Sequence, residues 1–379
     1  MKVLISSLTY PLHNGVTNSV NTSIDGFVER GHEIKIVAPK YPMGIARPEH
    51  VPVANSKFSR FFLQLFGKEE RMFGAKAKKQ IERITHDFQP DVMWLHTVTW
   101  APNAFERVME EGEVPKVLTY HTLVELYGRT YGGEIGALRM AERSKKVCNI
   151  MDKIITPSSV IADKLRSYGV TKPIEVIPTG IPAPKRSFTK EEVAAKFKFN
   201  PSNKLLIFVG RISKEKNISA LLRMVKELRG IRTDFTLLLV GPGDVDITKS
   251  EASSMGISDN IVLTGGLSAD ESKACYGAAD IFVFASQSET QGLVIGEAMI
   301  AGTPVVALDS PIQKEIYPDD VAVVVRDESQ FATEVDRVLN DSSLQEKLKI
   351  DGKAFVEKNF SIDGMITKQI AVLESVIKK

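Results

Sequence analysis

The sequence predicts an α/β protein built from two domains, each of them a doubly wound parallel sheet. The chain has 379 residues, which is long for one hydrophobic core and comfortable for two. Short aliphatic segments alternate with helix-length amphipathic segments, which is the pattern of parallel strands joined by crossover helices. Most of the strand-like segments contain a continuous apolar run, as expected for strands buried on both faces.

The predicted strands fall into two groups along the chain. The first group is "KVLISS", "HEIKIVAP", "DVMWLH", "KVLTYH", "KIITPS" and "IEVIPTG", and the second is "KLLIFVG", "FTLLLVG", "NIVLTGG", "IFVFAS" and "TPVVALD". The prolines of "PTGIPAPKRSFTKEEV" interrupt the pattern and mark a linker. We therefore expect Rossmann-like domains at residues 1–180 and 181–355, with a last helix at 356–379 that packs back on the first domain. Parallel sheets bind ligands at the carboxyl ends of their strands, so we expect the ligand in a central cleft that both domains face.

Composition excludes several classes of protein. The 43% hydrophobic and 25% charged content is that of a soluble globular protein. No apolar run reaches the ~18 residues of a membrane span, and "MKVLISSLTYPLHNG" is typical of a strand and loop rather than a signal peptide, so we expect a cytoplasmic protein. Cys148 and Cys275 lack metal-ligand spacing and are expected to be core thiols. Residues 1–180 carry 24 basic and 19 acidic side chains, which suits an anionic surface, but a nucleic-acid binder would be more basic.

A basic segment, "FVGRISKEKN", follows the first strand of the second group. Gly210 allows the chain to turn sharply, and Arg211 and Lys216 could then converge on a diphosphate. Taken alone, the segment is also compatible with a solvated basic turn. Its position directly after a strand favours a diphosphate-binding role over a solvated turn.

Two glutamates, Glu289 and Glu297, stand eight positions apart in "SETQGLVIGEAM", with Gly292 between them. We expect a helix to begin near Gly292, so that the backbone N–H groups of Gly292, Leu293 and Val294 form an anion site. The two carboxylates could accept hydrogen bonds from vicinal hydroxyls. An anion site with two hydroxyl acceptors predicts a nucleotide sugar, although a capping glutamate and a solvated helical glutamate would give the same pattern.

The ordered set of these segments resembles a known family. "VGRISKEKN" with "SETQGLVIGEAMIAGTPVVA" is similar to the nucleotide-sugar signature of the family 4 retaining glycosyltransferases, which have the two-Rossmann B-type fold (GT-B). "YPLHNGVTNSV", "LHTVTW", "YHTLVELYG", "TPSSVIADKL" and "VIPTGI" fall in the family's order, so the resemblance covers essentially the whole chain. "LHTVTW" with "TYHTLVELYG" most resembles the members that glycosylate diacylglycerol and related membrane lipids.

The resemblance implies a hexosyltransferase that moves a hexose from a nucleotide sugar, expected to be UDP-linked, to an acceptor hydroxyl with retention at the anomeric carbon. The first domain would bind the acceptor and the second the donor. By position, Arg211 and Lys216 would hold the donor diphosphate. Glu289 would contact the donor sugar, and Glu297 the ribose hydroxyls.

In the first domain, the resemblance assigns Gly15 to a loop whose backbone approaches the phosphates. Family members often have two glycines there, and this chain has Asn14 followed by Gly15. His121 in "TYHTLVE" matches the family's histidine near the sugar, and His96 in "WLHTVTW" competes for that role. A histidine is mostly neutral near pH 7 and can orient hydroxyls without a full charge.

We expect no metal and no other cofactor. Asp244 and Asp246 form a D-x-D pattern, but they follow a strand, where aspartates commonly make turns. Arg211 and Lys216 already supply the positive charge that a metal would provide. A sugar-nucleotide epimerase and a non-catalytic sugar-nucleotide-binding protein remain as alternatives, whereas no G-x-G-x-x-G follows a strand to favour a nicotinamide dehydrogenase.

Residues 57–79, "KFSRFFLQLFGKEERMFGAKAKK", predict a membrane contact. The aromatic residues recur at helical spacing, and seven basic residues exceed two acidic ones. An aromatic face beside excess positive charge suits a helix lying on an anionic bilayer. A core-packing helix with a solvated basic side is the alternative. We therefore expect a peripheral enzyme on the inner face of the membrane that takes a lipid or sugar acceptor.

Overall fold

A computed structural model describes residues 1–12, 14–42, 44–56, 71–287 and 289–378. The chain separates into two compact units, Met1–Gly180 with Ile362–Lys379 and Ile181–Ser361. Each unit is a parallel sheet with interleaved helices, which confirms the predicted pair of doubly wound α/β domains.

The first unit contains a parallel sheet of seven described strands in the order β3-β2-β1-β4-β5-β6-β7. The order reverses direction between β1 and β4, which places the switch point of the sheet at the carboxyl ends of these two strands. β3 was not among the predicted strands. The strands are β1 Lys2–Ser6, β2 Glu33–Pro39, β3 His50–Val53, β4 Val92–Leu95, β5 Lys116–Thr119, β6 Lys153–Thr156 and β7 Ile174–Val176.

Helices cover this sheet and begin at recognisable caps. The Asn14 side chain accepts a hydrogen bond from the Thr17 backbone N–H at the start of α1, and Asn103 caps α3 in the same way. α4 is interrupted at Gly133, where φ is 58°. The helices are α1 Gly15–Glu29, α2 Ala77–Phe88, α3 Ala104–Glu111, α4 Val124–Asn149 and α5 Ser159–Ser167.

The last helix of the chain belongs to the first unit. Its buried residues, which include Met365, Ile366 and Leu373, join the core beneath α1. Gly26 on α1 permits this packing, because a Cβ there would lie 2.6 Å from Ile366 Cγ1. The helix begins at Ile362 rather than at the predicted residue 356, because the preceding helix, Ser342–Asn359, packs within the second unit.

The second unit contains a parallel sheet of six described strands in the order β10-β9-β8-β11-β12-β13, with its switch point between β8 and β11. β13 was also not predicted. The strands are β8 Lys204–Val209, β9 Phe235–Val240, β10 Ile261–Gly265, β11 Ile281–Phe284, β12 Val305–Leu308 and β13 Val323–Val325. The helices are α6 Lys190–Phe197, α7 Ile218–Arg229, α8 Val245–Ser254, α9 Ala269–Tyr276, α10 Leu293–Ile300, α11 Pro311–Ile316, α12 Phe331–Asn340, α13 Ser342–Asn359 and, returning to the first unit, α14 Ile362–Ile377.

Both cysteines are buried in their cores with free thiols, as predicted. Burial raises the pKa of the Cys148 thiol to about 12 and that of Cys275 to about 11, so both are inert thiols at neutral pH. Within the described parts of the chain, no helix has the length and apolar character needed to cross a membrane.

Candidate active site

Lys216 and Glu289 form an ion pair at the switch point of the second sheet. Lys216 follows β8 on a short 3-10 turn, Lys214–Lys216, and Glu289 follows β11, the neighbouring strand. The Lys216 Nζ lies 2.6 Å from the Glu289 Oε1, and their side chains are 24% and 16% exposed. The pairing of β8 with β11 therefore brings together two residues that lie 73 positions apart in the sequence.

The loops after β8 and β9 approach each other closely, and glycines make this possible. Gly210 donates its backbone N–H to the Val240 carbonyl, and Ile212 donates to the Pro242 carbonyl. Gly241 has a φ of 150°, and a Cβ on it would lie 1.8 Å from the Gly210 carbonyl oxygen. A larger residue would force these two loops apart.

The Arg211 side chain extends from this loop into solvent. Its side chain is 50% exposed and lies 3.6 Å from Glu215, whereas Lys216 pairs with Glu289. The two predicted diphosphate cations thus follow the same strand but have different carboxylate partners, and Lys216 is the more enclosed of the two.

The start of α10 is held by a tyrosine from another part of the chain. Gly292 is the N-cap in the left-handed conformation, with φ 69° and ψ 49°, and Leu293 and Val294 begin the helix. The Tyr317 hydroxyl donates to the Gly292 carbonyl at 3.1 Å, and the Gly296 backbone hydrogen-bonds to the same hydroxyl. Tyr317 thereby links the cap to the first turn, in which the Ile295 backbone N–H also donates to the Gly292 carbonyl at 2.9 Å. No sequence pattern indicated a role for Tyr317.

Glu297 lies one turn further along α10 within a small polar network. Its Oε2 accepts a hydrogen bond from the Tyr276 hydroxyl at 3.1 Å, and its Oε1 lies 3.4 Å from the Lys273 Nζ. Burial raises the pKa of Glu297, which Lys273 and the Tyr276 hydrogen bond oppose. Burial and Glu297 together raise the pKa of Tyr276 well above 10, so Tyr276 acts as a hydrogen-bond donor at neutral pH. Sequence reasoning missed both partners of Glu297.

The switch point of the first sheet carries a second set of polar side chains. The Thr97 Oγ1 accepts from the Leu8 backbone N–H at 3.2 Å and lies 3.2 Å from the Ser7 Oγ, which ties the end of β4 to the end of β1. Gly15 is the first residue of α1, and the Asn14 side chain caps that helix. The asparagine that replaces a second glycine in the loop therefore has a structural role of its own.

His96 and His121 lie at the ends of the neighbouring strands β4 and β5. The His96 Nδ1 is 2.9 Å from the His121 Nε2, and the two rings stack with centroids 5.2 Å apart. His96 is only 2% exposed, whereas His121 is partly exposed. Burial lowers the pKa of His121 to about 4 and that of His96 well below its ordinary value. The predicted histidine, His121, is thus more exposed than its competitor His96.

The D-x-D pattern lies on a loop and the first turn of α8. The Asp244 backbone N–H donates to the Ile212 carbonyl at 2.7 Å, and the fully exposed Asp246 carboxylate lies 4.0 Å from Lys249. Across the ranges that the structure describes, no three His, Cys, Asp or Glu side chains are grouped as a metal site would require.

The predicted membrane segment is described only in part, because residues 57–70 lie outside the described residues. Within the remainder, the Arg71 guanidinium donates to the Lys40 carbonyl, and Lys78 pairs with Glu111 at 2.6 Å. Lys76 and Lys79 are exposed at the start of α2. Two of its basic residues therefore make contacts within the protein.

Two doubly wound α/β domains in one chain, each with polar side chains at its switch point, are typical of glycosyltransferases with the GT-B fold. Comparison with known families identifies the domains: residues 13–183 match the Glycosyltransferase Family 4 model, and residues 189–355 match the Glycosyl transferases group 1 model. The chain belongs to this class and is a glycosyltransferase with a family 4 domain followed by a group 1 domain. This confirms the resemblance seen in the sequence.

Similar proteins include two membrane-lipid enzymes. The chain is 26% identical to alpha-monoglucosyldiacylglycerol synthase of Streptococcus pneumoniae, over 96% of this chain and 86% of that protein. It is 28% identical to the synthase of the same name from Acholeplasma laidlawii, over 81% of this chain and 80% of that protein. Anabaena HepE, solved in complex with UDP and glucose, has the same fold, with a TM-score of 0.79 and 16% identity over 99% of this chain and all of that one.

Proposed function

We propose that this glycosyltransferase moves a hexose from a UDP-linked sugar to a hydroxyl of a membrane lipid such as diacylglycerol, with retention at the anomeric carbon. The observation that carries the donor half is the enclosed Lys216–Glu289 pair at the switch point, in the same unit as the capped start of α10. The acceptor half is supported by the two relatives named as alpha-monoglucosyldiacylglycerol synthases. The UDP complex of HepE supports the choice of nucleotide.

Each donor-site residue has a role that its surroundings support. Lys216, enclosed beside Glu289, is suited to neutralise the donor diphosphate, and the more exposed Arg211 would add charge at its edge. The backbone N–H groups of Gly292, Leu293 and Val294 at the start of α10 would face the same anion. Glu289 would accept hydrogen bonds from the sugar hydroxyls. Glu297, held on one oxygen by Tyr276, would accept them from the ribose.

The proposed reaction needs no covalent intermediate. The bond between the anomeric carbon and the phosphate oxygen breaks, the acceptor oxygen bonds to that carbon on the same face, and the acceptor proton passes to the departing phosphate oxygen. Charge develops on the diphosphate as it leaves, so Lys216, Arg211 and the helix N-terminus would supply the stabilisation. In this proposal the enzyme needs no metal, because side chains supply the positive charge.

A transfer assay tests the proposal. The enzyme is incubated with UDP-glucose, UDP-galactose or GDP-mannose and with diacylglycerol in anionic vesicles, and both glycolipid and free nucleotide are measured. We expect an α-linked glycolipid from a UDP-sugar, with nucleotide release that depends on the lipid. Interconversion of the sugar without an acceptor would indicate an epimerase, and binding with neither reaction would indicate a non-catalytic protein. Lys216→Met serves as the inactive control.

We also propose that the protein works in the cytoplasm and binds anionic membranes through residues 57–79. The described part of that segment determines which variant to test. Lys78 is paired with Glu111, so its reversal would also break a contact within the protein, whereas Lys76 and Lys79 are exposed. Lys76→Glu with Lys79→Glu should therefore weaken binding to the membrane without disturbing the protein.

Sedimentation with phosphatidylglycerol vesicles tests this membrane contact. The wild type should pellet and be released as salt rises, and the double variant should pellet less. Lys226→Glu with Lys353→Glu, two exposed lysines of the second unit, is the matched control and should sediment like the wild type. Equal pelleting of all three proteins would refute this site, as would failure of the wild type to pellet.

A further inference from the structure

The contact between His96 and His121 joins specific nitrogen atoms, Nδ1 of His96 and Nε2 of His121, at 2.9 Å. This is a hydrogen-bond distance, so one of the two nitrogens carries a proton and the other accepts it. Both rings cannot be imidazolium ions, because every nitrogen would then carry a proton. Burial keeps both rings neutral at pH 7, so one shared proton decides the tautomer of each ring.

The other nitrogen of His96 indicates where that proton lies. The His96 Nε2 is fully buried and has no hydrogen-bond partner among the described residues. A buried N–H without a partner is rarer in proteins than a buried acceptor without one. The favoured arrangement therefore leaves Nε2 unprotonated, places the His96 proton on Nδ1, and directs it to the His121 Nε2. The proton of His121 must then lie on its Nδ1.

Three strands hold the His96 ring in place. Its backbone N–H donates to the Ser6 carbonyl on β1, and its ring packs on Trp94 of β4 with centroids 4.4 Å apart. The Trp94 Nε1 in turn donates to the Thr119 Oγ1 on β5 at 2.9 Å. Thr119 lies two residues before His121, so this hydrogen bond joins the strand ends that carry the two histidines.

We propose that His96 is a positioning residue that fixes the ring orientation and tautomer of His121, so that His121 presents Nδ1–H as a hydrogen-bond donor. The inference rests on the proposed function, together with the place near the transferred sugar that the family resemblance implies for His121. A histidine held in this way would donate to a sugar hydroxyl or ring oxygen and would not act as a general base through Nε2.

Three substitutions of His96 separate this role from simple packing. His96→Phe keeps a ring against Trp94 but removes the donor. His96→Asn places an amide N–H near the position of Nδ1, where it can donate to His121. His96→Gln places the amide near the position of Nε2, where it cannot replace the hydrogen bond to His121. We expect His96→Phe and His96→Gln to lower kcat about tenfold, the value of one hydrogen bond to the reacting complex, with the donor KM little changed. His96→Asn should recover most of that loss.

Nitrogen-15 NMR of histidine-labelled protein reads the tautomer without any substrate. We expect the wild-type His121 to carry its proton on Nδ1 alone and His96→Phe to show a mixture of tautomers. A wild-type proton on His121 Nε2 would overturn the proposal, as would equal activity of the Phe, Gln and Asn variants. If no donor and acceptor support transfer, the proposed function fails, while the NMR result still decides the tautomer. If His96→Phe does not fold, the wild-type spectrum and the Asn and Gln pair decide.

Discussion

Acid is expected to destabilise the first unit through its paired histidines. Burial lowers the pKa of His121 to about 4, whereas an unfolded histidine titrates at 6.5. Between these values the unfolded chain binds a proton that the folded chain does not, so stability is lost as the pH falls from about 6.5 towards 4. Each tenfold difference in proton affinity corresponds to about 1.4 kcal/mol, which gives about 2 kcal/mol at pH 5 and about 3 kcal/mol below pH 4. The pKa of His96 is lowered as well, so its loss has the same sign.

Tryptophan fluorescence isolates this effect. Trp94 and Trp100 are the two tryptophans of the chain and both lie in the first unit, so their emission reports its unfolding in urea. We expect the wild-type midpoint to fall by about 0.5 to 1 M urea or more between pH 7.5 and pH 5. His121→Gln keeps an amide near the position of Nε2 but does not titrate, so its midpoint should fall less. Equal falls in both proteins would refute the reasoning that His121 is neutral because the fold buries it.

The remaining predictions concern the donor site. Lys216→Ala should lower kcat by about a hundredfold in the transfer assay, and Arg211→Ala by less, because the Arg211 side chain is half exposed. Near-normal rates in both variants would contradict the assignment of these two residues to the donor diphosphate. Glu289→Ala should lower kcat and Glu297→Ala should mainly raise the donor KM in steady-state kinetics; the reverse pattern would exchange their roles. Tyr276→Phe should raise the donor KM about threefold to tenfold with kcat little changed, because it frees the Glu297 carboxylate; an unchanged KM would contradict this. Activity should persist in EDTA; loss restored by Mn²⁺ would point to Asp244 and Asp246.

The strands that the sequence predicted are those with strong apolar signals. Every predicted strand segment contains an observed strand, because strands covered by helices on both faces consist almost wholly of apolar residues. The two that were missed are the edge strands β3, His50–Val53, and β13, Val323–Val325. β3 has four residues and includes Pro52, which is tolerated at an edge because one side of the strand has no partner. β3 lacks an apolar run, because His50 and Pro52 make up half of it. Length and edge position do not explain the omission of β13, since the three-residue edge strand β7, Ile174–Val176, was predicted.

In the candidate site, the individual residues could be predicted from the sequence, but their contacts could not. Lys216 and Glu289 could be predicted because each follows a buried strand, and the strand order then brings them to 2.6 Å. Their direct pairing could not be predicted, since the sequence does not specify that β8 lies beside β11. Likewise, each of the two histidines follows a predicted strand, and the family resemblance favoured His121 over His96. Their direct contact could not be predicted, and the structure adds that His96 is the more buried of the two. Side-chain partners from distant segments become visible only when the fold is known.

Helix α10 shows why those distant partners matter for function. Its cap carbonyl, on Gly292, accepts from Tyr317, and its Glu297 carboxylate accepts from Tyr276. Both tyrosines are buried, and loss of the Tyr276 hydroxyl would leave the Glu297 Oε2 without its buried donor, at a cost of about 1 to 3 kcal/mol. The Gly292 carbonyl would keep the hydrogen bond from the Ile295 backbone N–H if the Tyr317 hydroxyl were lost. Phosphate binding at the helix start and ribose binding at Glu297 would both require α10 to keep one fixed position. The motif therefore supplies the groups proposed to touch the donor, while two tyrosines outside it determine where those groups lie.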